Sequence, residues 1–415
     1  MPRTAEEVAA IVRWCYEHGV PVVPRGGGTG YAAGAVPVDG GVVVALERLT
    51  RVRSFEPLLW RMEVEAGVTT AAVRHTARGG GLLFAPDPGA AEQSQIGGNV
   101  ATNAGGPHAF KYGVTGAWVT GVEVVVAPGE LVRLGGPLRK DVAGYDLTAL
   151  LVGSEGTLGV ITSVWLRLTP APEAAWPVVA FFDGIRSGCA AIERIVGSGL
   201  PVAAIEYLDG QTMQYAGAGF PTEIPAGSFC VLTEADGSND EAARVRAEVL
   251  ELLGEDAAAL YAPEVAAEIA ALWRWRESVT LRVAAQRGGK VSEDIAVPLD
   301  RLAEAIETSL EIGRRHDLAA ASWGHAGDGN LHTTYLVSPD DGGELERAAH
   351  ASDDLFDLAL SLGGTISGEH GVGLLKSPWL ARRLGPRPAA LHAAVKRAFD
   401  PQNLLNPGKK TTTQS

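Results

Sequence analysis

Apolar positions near the start of the chain repeat first with the period of a helix and then with that of strands. Between Val8 and Cys15 they recur at helical spacing, and Thr4 and Glu7 have the spacing of a capping box. Short apolar runs predict strands at residues 20–23, 42–46, 62–66, 122–126 and 160–168. The proline-containing residues 169–173 predict a linker between domains.

After this linker, strands and helices alternate in two runs of similar order. The first run covers residues 178–253 and the second covers residues 291–362. Short strands with about one helix per pair predict an antiparallel sheet covered by helices. The similar order of the two runs indicates a diverged duplication. A chain of 415 residues also exceeds what one hydrophobic core usually supports, so we expect two domains.

The composition is typical of a globular protein, with 46% hydrophobic and 20% charged residues. The net charge of −14 argues against nucleic acid and anionic membranes as partners. Cys15, Cys189 and Cys230 form no CxxC pair, which argues against a zinc ribbon or an iron–sulfur cluster and predicts free cytosolic thiols. The chain has neither an apolar run of ~20 residues nor a signal peptide. We expect a cytoplasmic protein, with docking to a membrane-bound partner left open.

A glycine-rich loop, PRGGGTG, occupies residues 24–30 after the first predicted strand. Residues 28–33 almost match the motif GxGxxG/A, and Glu47 ends the next strand about where a ribose-binding acid would lie. Residues 31–41 cannot supply a crossover helix, because glycine and proline interrupt them. No Walker A motif is present. We interpret the loop as a strand-to-strand turn whose N–H groups line a pyrophosphate, with a plain glycine turn as the alternative.

Two further segments of small residues lie in the same half of the chain. They are IGGNVATNAGG at residues 96–106 and GSEGTLGVI at residues 153–161. Small side chains let a ligand approach the backbone closely, and Thr102 and Asn103 add polar groups. Three such segments together predict a bound nucleotide cofactor.

Three histidines and a glutamate lie in two glycine-rich segments, GHAGDGNLH and GEHG. Glycines between His325 and His332 disfavour a helix, so we expect a strand–turn–strand arrangement in which both rings converge. Glu369 and His370 are neighbours, so their side chains diverge. Such a set suits a zinc, manganese or iron ion with an open position, and it leaves one group for proton transfer. The alternative is that these are turn or core residues with ordinary hydrogen bonds.

An anionic substrate would need cationic side chains to hold it. Arg276 and Thr280 lie one helical turn apart, and a guanidinium suits bidentate binding of a carboxylate. Lys290 is a weaker candidate. For Arg274, Arg282 and Lys290, the alternative is a solvated charged face.

These motifs occur together, and in this order, in one family of enzymes. The series continues with Tyr145-Asp ahead of GSEGTLGVIT and closes with FDPQNLLNPG at residues 399–408. Over essentially its whole length the chain resembles FAD-linked oxidases of the vanillyl-alcohol-oxidase type. More narrowly, it resembles the group that contains the glycolate oxidase catalytic subunit, D-lactate dehydrogenase and D-2-hydroxyglutarate dehydrogenase.

The resemblance implies an α+β fold with a two-part FAD-binding domain and a substrate, or cap, domain in which helices cover an antiparallel sheet. It places the FAD-binding domain at residues 1–170, the cap domain at residues 171–365, and a C-terminal segment that returns to the FAD site at residues 366–415. Noncovalent FAD is expected, because Thr29 and Tyr31 stand in the loop where covalent members carry a flavin-linked histidine. The residues implied at the FAD are Arg25, Gly26, Gly27, Gly28, Thr29, Gly30, Pro86, Asp87, Gly97, Gly98, Asn99, Thr102, Asn103, Gly106, Glu155, Gly156, Gly159, Ile161 and Asn406.

The resemblance also implies a reaction, the oxidation of a D-2-hydroxy acid of the glycolate, D-lactate or D-2-hydroxyglutarate type to the 2-oxo acid, with hydride transfer to flavin N5. It assigns His325, His332 and Glu369 to a divalent metal that activates the hydroxyl group, and His370 to the base. Arg276 matches the family pattern and is the preferred carboxylate anchor. The implied substrate-binding residues are Arg276, Thr280, Lys290 and Asn330.

Electrons must leave the flavin through a separate acceptor, because the chain encodes neither cluster cysteines nor an NAD-binding fold. An iron–sulfur subunit, a cytochrome, a flavoprotein and a quinone are the alternatives, and a homodimer is left open. A second interpretation is a noncatalytic FAD-binding subunit of a glycolate oxidase-like complex. A third, which fits the three small-residue segments less well, is a metallohydrolase.

The start of the chain departs from the family pattern. Members normally carry some tens of residues before the first helix, whereas Met1 lies almost on that helix here. We therefore expect either a truncated start or an FAD domain without its N-terminal cover, and in both cases weaker retention of the flavin.

Overall fold

The structure, a computed structural model, describes residues 1–38 and 40–412, which form two units. The first unit contains residues 1–106 and 112–171 together with the described residues from 369 onward, and the second contains residues 107–111 and 172–368. Among the described residues, no helix combines the length and the apolar character needed to cross a lipid bilayer.

The helices of the described chain are α1 (Ala5–His18), α2 (Thr70–Gly79), α3 (Ile96–Thr102), α4 (Ala109–Tyr112), α5 (Leu147–Leu151), α6 (Ile185–Ser198), α7 (Gly210–Ala216), α8 (Asn239–Gly254), α9 (Ala266–Ala284), α10 (Leu302–Arg315), α11 (Gly342–Ser361), α12 (Ser377–Leu384) and α13 (Pro386–Phe399). The strands are β1 (Val22–Arg25), β2 (Val42–Ala45), β3 (Val52–Glu56), β4 (Arg61–Glu65), β5 (Leu82–Leu83), β6 (Val119–Val126), β7 (Glu130–Gly135), β8 (Val160–Arg167), β9 (Thr169–Pro170), β10 (Ala174–Phe182), β11 (Ala204–Leu208), β12 (Phe229–Gly237), β13 (Ala259–Tyr261), β14 (Gly289–Ala296), β15 (Ala320–His325) and β16 (Asn330–Val337).

A five-stranded antiparallel sheet, with the order β3-β4-β8-β6-β7, forms the centre of the first unit. Met62, Val164 and Ile96 are fully buried and pack in one apolar cluster on it. Each such side chain contributes about 1.5–3 kcal/mol through burial alone. The strands predicted in the middle of this half are confirmed as β4, β6 and β8.

Helix α1 begins as the capping box predicts. The Thr4 side chain accepts a hydrogen bond from the Glu7 backbone N–H at 3.2 Å, and Gly19 ends the helix with a φ of 64°. Val12 of α1 and Leu405 belong to the same buried cluster. The C-terminal segment is therefore part of the core of the first unit.

Strands β1 and β2 run parallel, although no helix joins them among the described residues. The exclusion of a crossover helix is confirmed, but the connection still returns the chain to a parallel strand through the glycine loop. Gly41 closes this connection with a φ of 105°, and an added Cβ there would lie 2.5 Å from the Pro21 carbonyl oxygen. On its other side, β1 pairs with the C-terminal segment through a bridge between Val22 and Leu405.

Helix α3 lies within the small-residue segment at residues 96–106, where no helix was predicted. Adjacent glycines disfavour a helix in isolation. Gly97, however, allows a close approach, because an added Cβ would lie 2.6 Å from the Ala66 Cβ. Asn103 ends the helix in a left-handed conformation with a φ of 56°. Tertiary packing thus outweighs local propensity here.

The second unit contains a seven-stranded sheet with the order β13-β10-β12-β11-β15-β16-β14, in which all described pairings are antiparallel. On one face, Leu272 and Trp275 of α9 pack with Trp323 of β15. On the other, α6 approaches so closely that a Cβ added to Gly188 would collide with the Phe229 ring. The predicted α+β fold with an antiparallel sheet covered by helices is confirmed.

The two predicted runs of this unit form two matching halves. The first runs β10-α6-β11-β12-α8, with α7 inserted after β11, and the second runs β14-α10-β15-β16-α11. In the sheet, β11 and β15 lie side by side at the centre, flanked by β12 and β16. This symmetric order agrees with the predicted duplication.

Candidate functional site

The glycine-rich segments of the first unit enclose a cavity of about 430 Å³. The predicted FAD residues that line it are Arg25, Gly26, Gly27, Gly28, Thr29, Gly30, Gly97, Gly98, Asn99, Thr102, Glu155, Gly156, Gly159 and Ile161. Among the described residues, five others that were predicted at the FAD do not line this cavity: Pro86, Asp87, Asn103, Gly106 and Asn406. Lining residues that the sequence analysis missed include Tyr31, Pro88 and Gln95.

Glycine is required around this cavity for two different reasons. At Gly27, an added Cβ would collide with the Gln93 carbonyl oxygen, so the loop and the neighbouring backbone touch. At Gly30 and Gly98, nothing lies within 4 Å of an added Cβ, although both residues line the cavity. Side chains at the last two positions would occupy the space itself. The cavity is thus a cradle in which small residues let a ligand approach the backbone closely.

The cavity wall also contains polar atoms that the described chain does not satisfy. The Gln95 Oε1 and the Arg25 Nε are buried and have no hydrogen-bond partner among the described residues. Buried polar atoms are almost always paired in native proteins. A ligand with both donors and acceptors, such as FAD, would satisfy them, so the residues present fit this cofactor.

The Glu155 carboxylate, predicted at the FAD, also binds the chain itself. It accepts hydrogen bonds from the backbone N–H groups of Val372 and Gly373, at 2.9 and 2.6 Å, and lies 3.3 Å from the Lys410 Nζ. Its own backbone is left-handed, with a φ of 54°. Glu155 therefore holds in place the segment that directly follows Glu369 and His370.

Two of the predicted FAD residues that do not line the cavity, Asn406 and Asn103, are hydrogen-bonded to neighbouring loops. The Asn406 Nδ2 donates to the carbonyl oxygens of Gly34 and Glu155, at 2.8 and 2.7 Å. The Asn103 Oδ1 accepts from the Gly116 N–H at 2.7 Å. These side chains join loops to one another, a role that spacing along the sequence does not distinguish from ligand binding.

His370 lines the cavity next to an aromatic residue. The ring centroids of His370 and Tyr31 are 4.8 Å apart and the rings are tilted by 38°. Their segments are fixed together, because the Leu374 N–H donates to the Ala32 carbonyl oxygen at 2.9 Å. Tyr31 was absent from the predicted site; its only sequence signal is a large aromatic residue directly after the glycine loop.

Glu369 also lines the cavity, opposite a glycine. An added Cβ at Gly105 would lie 2.6 Å from the Glu369 Oε2. Gly105 belongs to the segment predicted at the FAD, although it was not singled out. A larger residue there would displace the carboxylate.

In the second unit, His325 ends β15 and His332 lies near the start of β16. A short turn containing Gly329, with a φ of 67°, joins the two strands and pairs His332 with Trp323. The imidazole centroids are 5.2 Å apart and the rings are nearly perpendicular, at 88°. The strand–turn–strand arrangement with converging rings is confirmed.

A buried carboxylate that the sequence analysis missed supports His325. Glu206 on β11 lies opposite His325 in the register, and its Oε1 is 2.5 Å from the His325 Nδ1. Its Oε2 accepts from the Arg276 Nη2. Burial alone raises the pKa of the Glu206 carboxyl, but the charges of His325 and Arg276 outweigh it and hold this pKa below the usual value. The only sequence signal is a lone acid in the apolar strand AIEYL.

A second buried carboxylate, Asp294 on β14, lies opposite His332 in the register. Its Oδ1 is 3.9 Å from the His332 Nδ1 and accepts from the Asn330 Nδ2 at 2.6 Å, while its Oδ2 accepts from the Ser367 hydroxyl at 2.9 Å. The Asn330 Oδ1 is buried without a partner among the described residues. In Asn330, predicted to bind substrate, the Nδ2 is therefore already hydrogen-bonded, whereas the Oδ1 could accept a hydrogen bond from a ligand.

The cationic residues predicted to bind substrate lie on the sheet face that carries these carboxylates, or on the helix that packs against this face. Arg276 of α9 is buried, with 8% of its surface exposed, and it is paired with Glu206. The Lys290 Nζ lies 5.8 Å from the centre of the Trp323 ring, and burial lowers the pKa of Lys290 to about 8. Thr280 is half-buried on α9. Arg282 donates to the Ala218 carbonyl oxygen at 2.6 Å, so it is not a simple solvated charge.

The histidine pair fits a metal ion by the chemistry of its donors. A carboxylate on one ring nitrogen fixes the tautomer and leaves the other nitrogen to bind an ion. The contact between Glu206 and the His325 Nδ1 has this form, which assigns the metal-binding role to Nε2. Neutral imidazoles suit zinc and iron, and an added carboxylate ligand also admits manganese.

Family models match both parts of the chain. The model described as FAD linked oxidases, C-terminal domain, matches residues 171–410, and the model described as FAD binding domain matches residues 1–135. Among solved structures, p-cresol methylhydroxylase has a TM-score of 0.82 at 18% identity, covering 99% of this chain and 87% of that one. At this identity the likeness concerns the fold alone.

Curated relatives match over nearly the full length. The glycolate oxidase subunit GlcD of Bacillus subtilis is 37% identical, over 98% of this chain and 87% of that protein. The D-lactate dehydrogenase of Anaerostipes hadrus is 34% identical, over 98% and 87%. The D-2-hydroxyglutarate dehydrogenase of Xanthomonas citri is 36% identical, over 99% and 88%. With both family models matched and these identities over the whole chain, the protein belongs to the FAD-linked oxidases and is an FAD-binding oxidoreductase.

Proposed function

We propose that this protein oxidises a D-2-hydroxy acid to the corresponding 2-oxo acid with bound FAD and a divalent metal ion. The observation that carries the proposal is the pair His325 and His332, supported by Glu206, in a chain whose relatives are named for glycolate, D-lactate and D-2-hydroxyglutarate. An FAD-binding protein without catalytic activity has no need for such a buried, carboxylate-supported imidazole pair.

FAD, when bound, would supply the acceptor for the hydride from C2 of the acid. Gly30 and Gly98 leave open the space that it would occupy, and Gln95 and Arg25 offer it an acceptor and a donor. The absence of histidine from residues 24–31 supports noncovalent binding.

A bound divalent ion lowers the pKa of the substrate hydroxyl and offsets the charge of its carboxylate. We assign His325 and His332 as ligands, and the family resemblance adds Glu369. The contact with Glu206 presents the His325 Nε2, while Asp294 lies beside the His332 Nδ1. Zinc, manganese and iron remain the candidate metals.

We assign the proton transfer to His370, whose imidazole nitrogen takes the hydroxyl proton of the acid. Its place in the cavity wall beside Tyr31 supports this role. Tyr31 packs against the ring and limits its rotation, so the acceptor nitrogen keeps one direction.

We assign Arg276 and Lys290 to the substrate carboxylate, with Thr280 and Asn330 as polar contacts. Arg276 shares its charge with Glu206, so it acts chiefly as a donor of directed hydrogen bonds. Lys290 contributes a second positive charge below about pH 8. The electron acceptor is a separate molecule, which the name of the Bacillus relative, a subunit, supports.

The test is an anaerobic titration of the purified, FAD-loaded and metal-loaded protein, followed in the visible spectrum. Glycolate, D-lactate, D-2-hydroxyglutarate and the L forms of the last two are added in turn. We expect one D acid or glycolate to bleach the flavin at micromolar to millimolar concentrations, the usual range of KM. If none of these acids reduces the flavin, the proposed reaction is wrong.

A further inference from the structure

In the second unit, one carboxylate contacts two residues that have different roles in the proposed function. Glu206 is completely buried, and its two oxygens are divided between two partners. Oε1 lies 2.5 Å from the His325 Nδ1, and Oε2 accepts from the guanidinium of Arg276. One side chain therefore joins the proposed metal ligand to the proposed substrate anchor.

The sheet and one helix create this arrangement from distant parts of the sequence. Strand β11 is otherwise apolar, and its register with β15 places Glu206 directly opposite His325. Residues paired in this way on antiparallel strands project from the same face of the sheet. Helix α9 crosses this face and supplies Arg276, which is itself buried.

Burying an ionised carboxylate is strongly unfavourable unless the charge is paired and hydrogen-bonded. The His325 imidazole and the Arg276 guanidinium pair with Glu206, but an apolar residue would suit the strand at less cost. Packing alone therefore does not explain why this strand carries a carboxylate. Its geometry, with one oxygen on each partner, restrains both the imidazole and the guanidinium.

We propose that Glu206 is a positioning residue that orients the His325 ring for metal binding and holds Arg276 in place for the substrate carboxylate. The inference rests on the proposed function, since it concerns the same site. Glu206 touches neither the metal nor the acid. It acts by fixing which imidazole nitrogen is presented and where the guanidinium lies.

The same sheet face contains a matched control. Glu234 on β12 is also a buried carboxylate, and it lies two residues beyond Leu232, the residue opposite Glu206. Its oxygens contact the His108 Nε2 and the Trp273 Nε1, both at 2.9 Å. Neither partner has a role in the proposed reaction. A change at Glu234 thus removes an equivalent buried charge without disturbing His325 or Arg276.

The experiment measures metal affinity directly, by calorimetric titration of Mn²⁺ or Zn²⁺ into the chelator-stripped, FAD-loaded full chain. For Glu206→Gln we expect Kd to rise about 10- to 100-fold, as is typical when the partner of a metal-binding histidine is lost. For Glu234→Gln we expect a change of less than about threefold, because no proposed metal ligand loses its partner. FAD content and circular dichroism report whether each variant is folded.

A second readout separates positioning from general stability. Glu206→Gln should raise KM for the acid as well as metal Kd, since Arg276 is released, whereas a loss of stability would lower the melting temperature alone. Glu206→Asp keeps the charge but shortens the side chain, so it should recover part of the metal affinity. It also replaces the glutamine variant if that variant does not fold.

Two results would overturn the inference, and they have different consequences for the proposed function. If Glu206→Gln binds metal as tightly as the parent while the parent oxidises its acid, Glu206 has no positioning role and the proposed function stands. If the parent protein binds no metal and no acid reduces its flavin, the proposed function fails and the inference fails with it.

Discussion

The cavity of the first unit and the histidine pair of the second are built on opposite principles. Many residues that line the cavity are glycine or alanine, and at Gly30 and Gly98 the space beside the backbone is open. The histidine pair is surrounded by buried charged side chains, Glu206 and Asp294, from separate strands. The cofactor cavity therefore depends on open space, whereas the proposed metal site depends on directed pairs of side chains.

The largest expected effect concerns His370, the proposed proton acceptor, which lies in the cavity wall. His370→Asn should slow flavin reduction by about 10²- to 10⁴-fold, the usual contribution of a general base, and leave FAD content unchanged. Stopped-flow absorbance under anaerobic conditions measures the rate. A variant that loses FAD as well would show that His370 belongs to the cofactor cradle instead.

Filling the cavity should have the next largest effect. Gly98→Val places a branched side chain where nothing lies within 4 Å of a Cβ, so it should compete with FAD. Overpacking costs about 1–3 kcal/mol, which corresponds to about 5- to 150-fold weaker FAD binding. Flavin fluorescence titration measures this, and metal Kd in the same variant should not change. Equal weakening of both ligands would contradict the division between the two sites.

The pH dependence of substrate binding tests the charged site. Burial lowers the pKa of Lys290 from 10.5 to about 8, so the amine loses its proton as the pH rises through 8. KM for the acid should then rise up to about tenfold per pH unit above that value, the limit for one ionisation. Lys290→Arg should keep KM flat across this range, because a guanidinium stays charged. A parent KM that is flat from pH 7 to 10 would exclude Lys290 as an anchor.

The lowered pKa of Lys290 also makes the free energy of unfolding depend on pH. Between about pH 8 and 10.5, the unfolded chain binds the Lys290 proton and the folded chain does not. The contribution of this group to the free energy of unfolding therefore rises with pH in that window. Comparing the denaturant midpoints of the parent and Lys290→Met at pH 7.5 and 10 isolates this contribution. A smaller gain for the parent than for the variant would contradict it.

The smallest effect is expected at the aromatic neighbour of His370. Aromatic pairs contribute about 0.5–1.5 kcal/mol, so Tyr31→Leu should change the rate of flavin reduction by about 2- to 13-fold. Tyr31→Phe, which keeps the ring, should stay close to the parent. If the phenylalanine variant is as slow as the leucine variant, the hydroxyl group of Tyr31 matters more than its packing.

Much of the fold and part of the site could be predicted from local patterns. The capped helix α1, the strands β4, β6 and β8, and the strand–turn–strand placement of the histidines follow from periodicity and turn residues. Helix α3 could not be predicted, because its glycines disfavour a helix until Ala66 packs against them. The parallel pairing of β1 and β2 was not predicted either, because parallel strands usually need a crossover helix, which residues 31–41 cannot form.

By itself, the sequence determined where glycines leave the backbone without side chains and where histidines and glycines cluster. These patterns identify a cofactor cradle and a candidate metal pair. Only the tertiary structure decided which charges meet. Glu206, Arg276 and His325 are far apart in the sequence, and they come together because β11 pairs with β15 while α9 packs on the same face. Glycine acts through its own backbone and can be read locally, whereas a buried ion pair exists only once the sheet register has formed.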